Sequence, residues 1–174
     1  MPLNYSSMYG YDSGLLITVK RLFGSYENAL AEIGIDYETV RKDSSVASAM
    51  GLAFEKIGIE ILQRCGFSIR EDNYLHIGDT YIMPDAVSED GQTFYDFKLS
   101  YRTLFQSETI YKYSPFCKKL VVIYLRGRPD NTAVPKNVRM LSIYEILDAY
   151  DLREEYQDVL QTIINKANKP IETV

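Results

Sequence analysis

The chain has 174 residues, 46% of them apolar and 25% charged, and a formal net charge of −5. That is enough chain for one compact domain with a small appendage, and no apolar run nears the ~20 residues of a membrane-crossing helix. Two distant cysteines, Cys65 and Cys117, and a single histidine, His76, argue against a disulfide framework or a zinc centre. No G-x-x-x-x-G-K-[ST] segment supports nucleotide hydrolysis. Met1 to Gly10 carries neither the basic nor the apolar part of a secretory signal, so a cytoplasmic protein with free thiols is expected.

The charge is unevenly spread. From Lys98 to Arg139 nine basic residues face two acids, a balance of 9 − 2 = +7, whereas Tyr144 to Val174 holds seven acids against three bases. A phosphate responds to the local field rather than to the total, so a basic middle is compatible with nucleic acid. It is equally the property of a solvated face.

In chain order, Leu15 to Gly34 is a short amphipathic segment in which Ser25 caps a helix over Tyr26 to Ile33 and Gly34 stops it. The polar run Arg41 to Ser45 marks a boundary between residues 1–43 and 44–174. A helix from Ser48 to Cys65 follows, then strand-like runs Phe67 to Ile77, Thr80 to Ser88 and Thr93 to Tyr101. A helical stretch from Thr103 to Tyr113 ends near Pro115. Strands Leu120 to Leu125 and about Val138 to Leu141 come next. Ser142 and Glu145 have capping-box spacing for a helix through Tyr150, and a last helix covers Arg153 to Ala167. The order α-β-β-β-α-β-β-α-α predicts an α/β (α+β) fold, a mixed central sheet flanked by helices with a small helical N-terminal appendage. Leu147, Leu152, Val159, Leu160 and Ile163 in the C-terminal helices suit a core or a subunit interface equally.

The chemistry concentrates at a hairpin. Asp90-Gly91 between two strand-like runs is a strong turn signal. With these two as the central pair, Glu89 pairs with Gln92 and paired numbers sum to 181, which sets Asp85 opposite Asp96. Directly opposed like charges repel, and a divalent cation between them turns that repulsion into attraction. Lys98 shares the face of Asp96, two residues on. On the other face Ile82, Pro84 and Ala86 are expected to pair with Tyr95, Phe97 and Leu99 as an apolar layer, although Val87 and Phe94 interrupt the alternation on the polar side. Glu55 is a third acid of interest. It lies outside its helix's polar stripe of Lys56, Glu60, Gln63 and Arg64, among Leu52, Ile59 and Leu62, where a carboxylate is costly unless paired or metal-bound.

Pro84-Asp85, ten intervening residues, then Asp96-Phe97-Lys98 resembles the signature of the PD-(D/E)XK nucleases, with Glu55 matching their helical acid. The resemblance covers roughly Ser48 to Leu141. It implies a restriction-endonuclease-like αβββαβ core and hydrolysis of DNA phosphodiesters with Mg²⁺, or Mn²⁺ as a substitute. It implies that Asp85, Asp96 and Glu55 serve the metal and that Lys98 positions or activates the attacking water. It further implies that Gln106 or Lys112 fills the place of the polar residue on the following helix, and that Arg102 and Lys112 meet the DNA. Leu22 to Ile35, with Phe23-Gly24-Ser25-Tyr26, Ala29-Leu30 and Gly34-Ile35, resembles the short repeats attached to homing endonucleases. That implies an accessory DNA-contacting element in which Lys20, Arg21 and Arg41 meet phosphates. The expectation is therefore a site-specific double-strand DNA endonuclease of homing or restriction type. Cutting two strands calls for two sites, hence a dimer or tetramer. The competing readings are a Holliday-junction resolvase or nicking repair nuclease, and a non-catalytic DNA-binding module.

Overall fold

A computed structural model describes residues 3, 5–40, 44–106, 108–127 and 133–168. The chain divides into two units, residues 1–48 with 165–174, and Ala49–Ile164.

The first unit carries helices α1 (Tyr5–Tyr11), α2 (Ser13–Phe23), α3 (Tyr26–Glu32) and α4 (Tyr37–Val40). Local chemistry starts and stops them. The Asp12 carboxylate accepts from Leu15 N at 2.9 Å to begin α2, and Ser25 Oγ accepts from Asn28 N at 3.0 Å to begin α3. Gly34, at φ 74°, takes the left-handed conformation that ends α3. The Tyr26 ring meets Tyr5 and Tyr37 edge-on, at 5.9 and 6.3 Å between centroids. The expected Ser25 cap and Gly34 stop are both found.

Helix α5 (Ser44–Arg64) begins at Ser44 rather than Ser48. Beyond it, β1 (Leu75–Ile77) and β2 (Thr80–Ile82) form an antiparallel two-stranded sheet. The larger sheet is built from β3 (Ala86–Val87), β4 (Thr93–Ser100), β5 (Lys119–Arg126) and β6 (Val138–Ser142), side by side in that order. The β3–β4 pair is antiparallel and the β4–β5 and β5–β6 pairs are parallel, so the sheet is mixed. Helices α6 (Tyr101–Gln106) and α7 (Thr109–Tyr113) lie between β4 and β5 in the chain, where one helix was expected. Helices α8 (Ile143–Ala149) and α9 (Arg153–Ala167) close the chain, α8 with both halves of the Ser142/Glu145 capping box in place.

Both faces of the sheet are covered. On one, Phe54, Ile61 and Leu62 of α5, Ile143 and Leu147 of α8, and Tyr156, Leu160 and Ile163 of α9 pack on Tyr95, Phe97, Val121, Ile123 and Leu125. On the other, Tyr101 and Leu104 of α6, Ile110 and Tyr113 of α7, and Ile82 of β2 pack on Phe94, Leu120, Val122 and Tyr124. This explains why the run Leu120 to Leu125 of β5 is buried throughout, as in a strand covered on both sides. Leu147, Leu160 and Ile163 are core residues, Leu152 packs beside them and Val159 is exposed.

The hairpin differs from the sequence expectation in its turn and keeps its register. Ala86 pairs with Tyr95 and Val87 with Phe94, both summing to 181. The last closing pair is Ser88 with Thr93, because Gly91 N donates to Ser88 O (2.8 Å) and Glu89 N turns away to Ser68 O (2.9 Å). Glu89 and Asp90 are therefore the central residues, and Gly91 sits after them at φ 69°. The Asp90 carboxylate fastens this loop by accepting from Ser88 Oγ (2.6 Å) and Gln92 N (3.0 Å).

The expected single strand Thr80 to Ser88 is broken. Ile82 pairs with Leu75 rather than with Leu99, and Pro84 has no ladder partner. Proline has no N–H to give, so the chain leaves the sheet at Met83-Pro84-Asp85 and re-enters at Ala86. The run Phe67 to Ile77 is likewise strand only from Leu75, preceded by a single bridge between Ile69 and Ser88.

Candidate active site

The break in the strand makes the site. Because β3 contributes only two residues, the edge of β4 beyond Tyr95 has no neighbouring strand on the β3 side among the described residues. Asp85, just ahead of β3, fills that gap with its side chain. Its Oδ2 accepts from Phe97 N at 2.6 Å, in the place of a strand carbonyl. The two acids are thus brought to one edge by a side chain-to-backbone bond rather than by a continued ladder.

Asp96 and Lys98 project from the same face of β4, as period-two alternation requires, and Lys98 Nζ lies 2.7 Å from Asp96 Oδ2. That face is not the open wet surface expected from the alternation. Asp96 is 2% exposed, enclosed on the side of α6 and α7. Among the described residues the Lys98 ammonium is the partner of the buried Asp96 Oδ2, which has no backbone N–H or hydroxyl donor. Burial, then the adjacent Asp85 carboxylate, push the Asp96 carboxyl up to about 7 against the pull of Lys98, with Glu55 adding to the rise.

Glu55 reaches this group from α5. Gly58, one turn on, lets the helix approach β4, since a Cβ there would lie 2.2 Å from the Phe97 ring. The Phe97 ring in turn meets Phe54 edge-on at 5.8 Å. Burial raises the Glu55 carboxyl, Asp85 raises it further, and Lys98 and Lys56 oppose. Asp85 is raised by burial, against the Phe97 N–H and Lys98. Three carboxylates and one ammonium therefore share a single electrostatic neighbourhood, as the four sequence candidates required.

Among the described residues, no three His, Cys, Asp or Glu side chains form a ready-made metal cage. The donor set still suits a hard divalent cation. It is all carboxylate, with no sulfur or imidazole in it, and it includes the buried Asp96 Oδ2, whose partner is the Lys98 ammonium. Burial raises all three carboxyls, and the Asp85 charge adds to the rise of Asp96 and Glu55; a bound cation would offset both.

The remaining candidates are dispersed. Arg102 on α6 and Lys112 on α7 are exposed, and Lys112 Nζ stands 5.2 Å from the centre of the Tyr113 ring. Lys20 and Arg21 are exposed in the last turn of α2, in the first unit. Arg41 and the side chain of Gln106 lie outside the described residues. His76 is an exposed residue of β1 stacked on Tyr81 at 4.3 Å, as a strand-surface histidine. Cys65 and Cys117 are free thiols.

Two residues at the site carry no local sequence signal. Tyr113 is buried near Asp85 and Asp96, and burial followed by the fields of Asp96 and Asp85 pushes its phenol up to about 12. Its hydroxyl donates to Met83 O at 2.8 Å. Asn73 Nδ2 donates to Pro84 O at 2.7 Å and, at 3.3 Å, to Asp85 O.

Compared with protein-family models, curated proteins and solved structures, the chain matches none of them.

Proposed function

We propose that the chain is a divalent-cation-dependent DNA endonuclease of the PD-(D/E)XK kind. The observation that carries the reading is the buried Asp96 carboxylate, ion-paired to Lys98 at 2.7 Å and set beside Asp85 at the open edge of β4. A carboxylate buried at such cost, next to two other acids and one lysine, is the mark of a site kept for chemistry rather than for stability. Counting β2 and β3 as one strand interrupted at 83–85, the order α5, β1, β2/β3, β4, α6–α7, β5 reads as the αβββαβ core that the Pro84-Asp85 and Asp96-Phe97-Lys98 resemblance implies.

In this reading Asp85, Asp96 and Glu55 hold Mg²⁺, with Mn²⁺ as a substitute. The bound ion supplies Lewis-acid stabilisation of charge on the scissile phosphate. Lys98, one-fifth exposed and joined to Asp96, would offer its ammonium to a phosphate oxygen or to the attacking water as charge develops. Arg102 and Lys112, on the exposed side of α6 and α7, serve the DNA backbone, and a symmetric oligomer supplies the second active site for the second strand.

The test is cleavage of supercoiled plasmid. DNA is cut with Mg²⁺ and stays intact in EDTA. Asp85→Ala, Asp96→Ala and Lys98→Ala each lower the rate by at least ~10²-fold while far-ultraviolet circular dichroism remains that of the folded protein. Full-rate cleavage by Asp96→Ala defeats the assignment. Cation binding without cleavage of plasmid, linear or four-way-junction DNA points instead to a binding module, and preference for the junction to a resolvase.

A further inference from the structure

We infer that Tyr113 and Asn73 are positioning residues that set Asp85 for cation capture, by holding the three consecutive carbonyls of Met83, Pro84 and Asp85. The inference rests on the nuclease reading above. Three residues leave the ladder beside a buried acid, and each carbonyl there needs a donor from elsewhere. Tyr113 Oη supplies Met83 O at 2.8 Å, and Asn73 Nδ2 supplies Pro84 O at 2.7 Å and Asp85 O at 3.3 Å. The donors come from separate elements, the end of α7 and the loop ahead of β1, so the segment is pinned from two places.

The pins act on the acid itself. With the main chain of 83–85 fixed, Asp85 Oδ2 reaches Phe97 N at 2.6 Å, and among the described residues no hydrogen bond occupies Oδ1. Tyr113 stands close enough to Asp85 and Asp96 to feel both charges, yet its proton goes to Met83 O rather than to either carboxylate. It therefore leaves the carboxylate oxygens unused. The arrangement is a second layer of hydrogen bonds around a metal ligand, of the type whose loss weakens metal affinity without removing a ligand.

The experiment is calorimetric titration of the cation-free full chain with Mn²⁺, which reads binding without turnover. Wild type binds Mn²⁺ and Asp96→Ala does not. Tyr113→Phe, which deletes one hydroxyl, and Asn73→Ala each weaken binding by about 10-fold. Tyr156→Phe serves as control, because it deletes a phenol bond of similar length, 2.7 Å to Glu60 Oε1, and keeps wild-type affinity. Unchanged affinity in both Tyr113→Phe and Asn73→Ala, or an equal loss in Tyr156→Phe, overturns the positioning role and leaves the nuclease reading standing. If wild type itself takes up no Mn²⁺, the nuclease reading falls and this inference with it.

Discussion

The two faces of β4 bury neighbouring residues on opposite terms. Tyr95 and Phe97 enter a core shared with α5, α8 and α9, where every contact returns free energy on folding. Phe94 and Asp96, from the same strand, enter the core shared with α6 and α7, and there a carboxylate is removed from water with one lysine as its partner. The first face explains why the sheet holds together. The second takes stability away at the one point where three acids meet. A polar residue in a strand is therefore no guide to exposure when helices cover both sides. What distinguishes the acidic face is unpaid desolvation rather than wetness.

The comparison is sharpest at adjacent positions. Phe97→Ala removes a ring that packs on Phe54 and Gly58, and it should cost about 3–5 kcal/mol. A loss under ~1 kcal/mol in urea unfolding would show that the first face does not carry the sheet. Asp96→Asn, one residue away, should act in the opposite direction. The folded-state pKa of Asp96, about 7, lies above its ordinary value of 3.8, so the folded protein binds this proton more tightly than the unfolded chain does. Below about pH 4 both states are protonated and the asparagine gains nothing. Between pH 4 and 7 the unfolded state ionises first and wild type loses stability relative to the variant. Above pH 7 the difference is constant, a gain for the variant of about 2–4 kcal/mol in EDTA. An Asp96→Asn protein less stable than wild type at pH 8 without divalent cations would mean that the acidic face carries no such cost.

The parts readable from sequence share one property, that the determining groups are close in the chain. Ser142 with Glu145, Ser25 with Gly34, and the span Arg153–Ala167 are local signals, and the helices follow them. The hairpin register was legible even though its turn was not. A two-residue loop and a four-residue loop with the same centre, between residues 90 and 91, preserve the same pairing sum, so Ala86 still meets Tyr95. The strand break at 83–85 has a local cause in Pro84, yet its consequence is tertiary. Asp85 reaches Phe97 N by its side chain, and the backbone it leaves is held by Tyr113, thirty residues on, and by Asn73, eleven residues from Pro84. Nothing in periodicity singles out one tyrosine among fifteen for such a bond. The enclosure of Asp96 was hidden for the same reason, since α6 and α7 cover it only once they fold back. Val87 and Phe94, which broke the polar alternation, were the visible trace of that second core.

The close approach of α5 gives the next largest effect. Alanine at position 58 gains up to ~1 kcal/mol of helix propensity, but its Cβ falls 2.2 Å from the Phe97 ring, and an aromatic ring wedged against Phe54 cannot swing away cheaply. Gly58→Ala should therefore lose about 1–2 kcal/mol net in wild type. In a Phe97→Ala background the collision is gone, and the same change should become neutral or stabilising. A loss of equal size in both backgrounds would remove the Phe97 contact as the reason for glycine, and with it the account of how Glu55 comes within range of the acids.

The smallest effects separate two bonds that join the same helices, α5 and α9. Tyr156 is buried and donates to Glu60 Oε1 at 2.7 Å, whereas Arg64 and Glu155, at 2.9 Å, are each about half exposed, 54% and 48%. Deleting the hydroxyl with Tyr156→Phe should cost ~1 kcal/mol, because its part-buried bond to Glu60 is lost while the carboxylate is partly returned to water. Arg64→Ala should cost under ~0.5 kcal/mol, since water and salt already screen that pair and holding two long side chains together costs entropy. Raising NaCl from 0.1 to 1 M should erase the Arg64→Ala difference and leave that of Tyr156→Phe in place. If the salt dependence instead follows Tyr156→Phe, burial is not what separates the two contacts, and the same reasoning that makes Asp96 expensive would need revision.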